Sequence, residues 1–233
     1  MASPESTTDE TVAEEAPRDE VREAMVEALR AELGDALVGS HIVPGDDVWV
    51  RVANDAWREA AEATKHKLSC LYFDFLSAID WLPSPFGRDM DSEIDTIVHG
   101  ATVKELPPLA QGYAGGDTRF QVFARLYSIS THLGITLKVD VADDDPRIAS
   151  LVPVYAGANW HERECAEMYG ISFAGHPYPY KLYLPGDFEG YPLRKDFPLL
   201  ARRVRPWPGI VDVEPMPESE SDDGPNEGGE EGA

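Results

Sequence analysis

Apolar residues recur along the chain with two periods, and the switches between them mark out its elements. Val21, Met25, Ala28, Leu29 and Leu33 fall at helical spacing behind Asp19, a side chain suited to the helix N-cap, and Gly34 supplies a stop. Two short strands are predicted next, over 36–43 and 47–53, joined as a hairpin through Pro44-Gly45-Asp46, with Val48, Val50 and Val52 on one face. Asn54 or Asp55 is placed to cap a second helix running to about Lys65, and 68–79 reads as a largely buried strand. Regular structure returns over 120–130. Then Leu133, Ile135, Leu137, Val139 and Val141 alternate with Gly134, Thr136, Lys138 and Asp140, which predicts a strand with one buried and one wet face. Trp49 and Trp57 read as packing residues. Together these elements predict an α+β fold, a single domain over 18–170 with a mixed sheet of about five strands and helices mainly on one face.

Two stretches break the pattern. Residues 83–118 are rich in Pro, Gly and charge and too long for an ordinary connection, so they read as a surface insertion. In NWHERECAEMYG, Asn159 and Glu162 have the spacing of a capping box and Gly170 can end a short helix. At 100° per residue, Trp160, Arg163, Glu164 and Glu167 share a charged face, while His161, Cys165, Met168 and Tyr169 share one apolar enough to dock on the sheet. Arg163 and Glu167 are spaced to pair. Beyond Gly170, prolines at 177, 179, 185, 192 and 198 forbid a lasting helix or central strand. The large apolar residues between them demand burial, against the chain's own domain or a partner. Residues 171–211 are therefore predicted to form an extended Pro-rich arm.

Charge sharpens these boundaries. The formal net charge is −23, but residues 1–20 carry seven acids against one Arg, and 212–233 carry nine acids and no base, leaving about −8 between them. Residues 1–17 and 212–233 are expected to be disordered acidic tails. The acidic balance argues against nucleic-acid and anionic-lipid partners and for proteins with basic patches. The longest apolar stretch, 68–82, is interrupted by Asp74 and Asp80, so no direct membrane span is expected. Two cysteines, Cys70 and Cys165, make no disulfide framework, and the acidic start does not read as a signal peptide, which fits the cytoplasm.

Candidate chemistry is sparse. His161 and Cys165 lie four apart, with His176 available as a third metal ligand, but no fourth is suggested and HERE is not the HExxH of zinc proteases. Glu162, Glu164 and Glu167 with His176 offer an acid–base set, although such a helix face is more often solvated or paired. Arg194, Lys195 and Asp196, set among bulky apolar residues, favour an interface over a solvated turn. Two cysteines are too few for an ordinary iron–sulfur cluster, and neither Gly-x-Gly-x-x-Gly after a strand nor Gly-x4-Gly-Lys occurs. No cofactor is expected.

Glu162, Arg163, Glu164, Glu167, Met168, Tyr169 and Gly170, followed by His176-Pro177 and then Gly190, Pro192, Leu193, Arg194, Lys195, Asp196, Phe197 and Pro198, resemble the hallmark of the 30-kDa-type (C) subunit family of respiratory complex I, the proton-pumping NADH:quinone oxidoreductase. A looser likeness runs over 21–198. Glu167 stands where that family usually has Asp, Lys181 where Arg is frequent, and Phe188 where Trp is common. The resemblance implies a non-catalytic, cofactor-free core subunit of the peripheral arm on the cytoplasmic face of the cell membrane. Its implied partners are the subunits that carry the terminal iron–sulfur cluster and the quinone pocket. A homologous subunit of a membrane-bound hydrogenase or another dehydrogenase assembly, and a free-standing hydrolase built on His176 and the glutamates, stay open as alternatives.

Overall fold

The computed structural model describes residues 18–83 and 107–197. The two acidic tails (1–17 and 212–233), residues 84–106 of the insertion, and 198–211 of the arm with Pro198 lie outside the described residues.

Helix α1 spans Glu20–Leu33. The Asp19 side chain accepts from the Arg22 amide at 3.1 Å, and the chain leaves the helix at Gly34 with φ +55°. Strands β1 (Leu37–His41) and β2 (Val48–Val52) pair antiparallel as the expected hairpin. Helix α2 follows at Trp57–Lys67, but no side chain caps it. Asn54 sits in a preceding 3₁₀ turn and donates through Nδ2 to the carbonyls of Asp140 and Arg147, so it ties two elements together instead.

Strand β3 (Tyr72–Asp80) begins later than expected, because Ser69 takes a positive φ and buries Cys70 in a turn. It is also only partly buried, being an edge. The sheet order is β1-β2-β5-β4-β3, with β4 at Phe120–Ser128 and β5 at Leu133–Val141. The β2–β5 pair is parallel and the others antiparallel, so the sheet is mixed as predicted.

The register places Val48, Val50, Val52, Ile135, Leu137, Val139, Ala124, Val122, Leu76 and Ala78 on one face, since side chains opposite one another across a ladder point the same way. Met25, Leu29, Trp57 and Ala61 from α1 and α2 join them in one continuous core. The other face is not the wet surface that the alternation of β5 predicts. Thr136 and Lys138 are both buried there. The described end of the insertion, 107–118, folds back over Lys138: its Nζ donates to the Tyr113 carbonyl at 2.9 Å and sits over the Trp81 ring, and Tyr113 stacks on His41. Burial pulls the Lys138 pKa down to about 8.

A second, two-stranded sheet pairs β6 (Arg147–Ala149) with β7 (Ser172–Ala174) in parallel. Between these strands lies helix α3, Ala158–Tyr169, the element on which the motif residues sit. Among the described residues, no helix is long and apolar enough to cross a membrane.

Candidate functional site

Helix α3 starts one residue before the expected cap. Gly157 occupies the N-cap, and the amides of Ala158 and Asn159 donate to the carbonyls of Tyr155 and Ala156 in the preceding turn. A capping box at Asn159 therefore has nothing to satisfy, and Glu162 turns inward instead. Its carboxylate is fully buried and accepts from Ser150 Oγ at 2.6 Å and the Leu151 amide at 2.5 Å. Burial pushes its pKa up to about 7, against the pull of those two hydrogen bonds and of Arg58.

His176 lies beside it, Nε2 4.0 Å from Glu162 Oε2. Its Nδ1 accepts from the Tyr178 amide at 3.0 Å, so the ring proton sits on Nε2, 3.1 Å from the Asn159 carbonyl. The structure thus brings together two members of the acid–base set that the sequence suggests. Both side chains are closed off from solvent, which leaves a substrate no way to reach them. The possible metal-ligand pattern also comes apart: His161 packs edge-on against Phe73, and Cys165 is buried in the core, where burial raises its thiol pKa. Among the described residues, no group of His, Cys, Asp and Glu is arranged to hold a metal ion.

The charged face of α3 is neither solvated nor internally paired. Arg163 does not meet Glu167; its Nε donates to the Tyr180 carbonyl at 2.6 Å, its Nη2 to that of Lys181 at 3.2 Å, and its guanidinium lies over the Tyr178 ring. Glu167 receives three consecutive arm amides, Leu182 at 2.7 Å, Tyr183 at 3.0 Å and Leu184 at 2.5 Å. Burial alone would raise its pKa, but those amides, with Lys181 nearby, hold the carboxyl below its usual range. Arm and helix are therefore one hydrogen-bonded unit. Glu164 takes no part in it among the described residues.

The arm's far end is seated on the chain's own sheet. Gly170 adopts the left-handed conformation at φ +75°, and a Cβ there would fall 2.6 Å from the Tyr191 ring and 2.7 Å from Arg194 Nη2. Arg194 Nε donates to the Tyr169 carbonyl at 2.6 Å, and its guanidinium lies over the rings of Phe120 and Tyr191. Leu193 donates to the Met168 carbonyl, and the Lys195 amide to Asp80 Oδ2 at 2.8 Å. Asp80 also makes a two-point contact with Arg119, at 2.8 and 2.7 Å, and Arg119 reaches Asp196 at 3.0 Å. Gly190 takes φ +94°, and a Cβ there would press on Phe197. Pro177 and Pro192 lie within the arm and, having no amide N–H, donate no hydrogen bond to hold it. No sequence signal marks Ser150, Arg58, Asp80 or Arg119, because the contacts that tie them to the helix and the arm, Ser150 to Glu162 and Arg58, and Asp80 to Arg119 and Lys195, join residues 12 or more positions apart.

The unit leaves several large apolar side chains exposed, beside charged ones such as Lys181, Asp187 and Glu189. Trp160, Tyr178, Tyr180, Tyr183, Tyr191 and Leu193 are between 41% and 70% exposed. So many large apolar residues on one helix and its strap form a surface of the kind that partners cover.

The family model for the respiratory-chain NADH dehydrogenase 30 Kd subunit matches residues 50–203, about two thirds of the chain. The C subunit of the NADH-quinone oxidoreductase of Roseiflexus castenholzii is 46% identical over 92 residues, 40% of this chain and 53% of that protein. The C/D subunit of the same oxidoreductase from Chromohalobacter salexigens is 35% identical over 155 residues, 63% of this chain and 24% of that one. The chain thus spans about half the length of the Roseiflexus relative it matches. A chain from the structure of the membrane-bound sulfane sulfur reductase, an archaeal respiratory membrane complex, shares the fold, with a TM-score of 0.52 at 18% identity over 76% of this chain and 86% of that one. By the extent of the family match, which takes in β2 to β5, α3 and the arm, this chain belongs to the family of the 30 Kd subunit of respiratory-chain NADH dehydrogenase.

Proposed function

We propose that the chain is a structural core subunit of the peripheral arm of NADH:quinone oxidoreductase, on the cytoplasmic face of the cell membrane. It supports electron transfer from NADH to quinone coupled to proton translocation and has no redox cofactor or catalytic residue of its own. Its partners are other subunits of that complex, above all those bearing the terminal iron–sulfur cluster and the quinone pocket. Family membership supports the assembly. The observation that carries the structural role is the exposed aromatic surface of α3 and the arm, held in place by Arg163 and Glu167. Arg163 and Glu167 hold that surface in place, and its aromatic side chains are the ones a partner would cover.

Trp160→Ala and Tyr180→Ala are the test. Both side chains are mostly exposed, so the isolated chain should unfold at an unchanged temperature, while its incorporation into the complex and the NADH:quinone activity of membranes fall together. Normal assembly with slow turnover would overturn the structural reading in favour of a role in chemistry. The shared fold with a chain of the sulfane sulfur reductase complex favours one second reading, a homologous subunit of a related membrane-bound assembly. Copurifying chains separate the two: a flavin-binding, NADH-oxidising partner supports the first, and a nickel–iron partner the second.

A further inference from the structure

Between α3 and the arm lies a pocket of about 330 Å³. Its lining includes the small residues Ala166 and Gly190 and the aromatic residues Tyr180, Phe188 and Tyr191. Arg163 and Lys181 stand at the same pocket. Among the described residues both donate only to backbone carbonyls, Lys181 to those of Pro185 and Phe188, so no side-chain carboxylate is hydrogen-bonded to either. The pocket's own carboxylate, Glu167, is already saturated by three amides. Two cations beside an aromatic cavity, in a chain that is otherwise strongly acidic, complement an apolar group carrying a negative charge at its edge.

We propose that this pocket receives an apolar side chain which a neighbouring subunit presents next to an Asp or Glu, the apolar group between the tyrosines and the carboxylate against Arg163 and Lys181. The inference rests on the interface reading above and adds the chemistry of the anchor. Ala166→Leu fills the cavity from the helix side without removing a hydrogen bond, and Leu suits a helix interior.

The test co-expresses differently tagged wild-type and variant full-length chains and measures their ratio in the purified complex. Ala166→Leu should be under-represented at least tenfold, with the melting temperature of the free chain unchanged. In parallel, p-benzoylphenylalanine in place of Tyr180 should cross-link, within the assembled complex, to a partner peptide in which an apolar residue neighbours an acidic one. Equal incorporation of Ala166→Leu overturns the proposal, and so does a cross-linked peptide without an acidic residue. If Ala166→Leu unfolds, the cross-link decides alone. Trp160→Ala separates the two readings: if it is excluded while Ala166→Leu assembles normally, the surface is an interface and the pocket is not its anchor.

Discussion

Replacing Glu162 by Gln should change how the fold responds to pH more than it changes the fold. The buried carboxyl has a pKa of about 7 in place of its usual 4.5. The folded chain therefore holds a proton that the unfolded chain releases between those values. A group raised in this way gives its full stability below pH 4.5 and loses it as pH rises to 7. The difference corresponds to roughly 3 kcal/mol, at about 1.4 kcal/mol for each pH unit between the two values. The Gln side chain keeps a carbonyl for the Leu151 amide and an amide for Ser150 Oγ but does not ionise. Its own hydrogen bonding adds a constant offset, so the informative quantity is how the stability gap between the two proteins varies with pH. Urea unfolding at intervals from pH 4.5 to 8 should show Glu162→Gln gaining about 3 kcal/mol relative to wild type over that range, or about 6 to 12 °C in thermal midpoint for a domain this size. Parallel stability curves would refute the reasoning, since they would mean that Glu162 stays ionised throughout, held so by Ser150, Leu151 and Arg58.

The remaining predictions concern the seat of the arm. Asp80→Ala strips a buried carboxylate from Arg119, Lys195 and Leu82 and should cost on the order of 3 to 5 kcal/mol by urea unfolding, whereas Asp196→Ala removes a half-exposed partner and should cost about 1 kcal/mol or less. Glu167→Gln puts an NH₂ group where three amides converge, so hydrogen exchange at Leu182, Tyr183 and Leu184 should speed up at least tenfold with the sheet amides unchanged.

Where structure follows from local period, the sequence is informative. The α1 helix, the β1–β2 hairpin, β4, β5 and the Gly170 stop were all legible, because each depends on residues a few positions apart. Three-residue strands such as β6 and β7 carry no period, and their pairing joins Arg147 to Ser172. Lys138 reads as a solvent-facing residue because its cover, 107–118, looks like loop. Asn159 and Glu162 keep capping-box spacing whether or not the turn at Tyr155 and Ala156 has already satisfied the helix amides. The motif could be recognised while the work of its residues was not. Arg163 and Glu167 have the spacing of a helix pair, and only their distance from the returning arm decides otherwise.

That use of the motif bears on how docking is achieved. A Pro-rich segment that ordered only on its partner would lose about 1 to 2 kcal/mol per residue in backbone freedom at that moment. Here Arg163, Glu167, Arg194 and Asp80 hold the arm at four separate places on its own domain, so most of that cost falls on folding rather than on association. A preformed surface also keeps its exposed tyrosines in fixed positions, with the ring centroids of Tyr178 and Tyr180 4.4 Å apart. Weakening the Glu167 clasp should therefore impair assembly even though its carboxylate is already taken up by arm amides. The distinction is measurable in the variants above: loss of a tyrosine weakens association with the arm still protected from exchange, while loss of Glu167 weakens association because the arm is no longer protected.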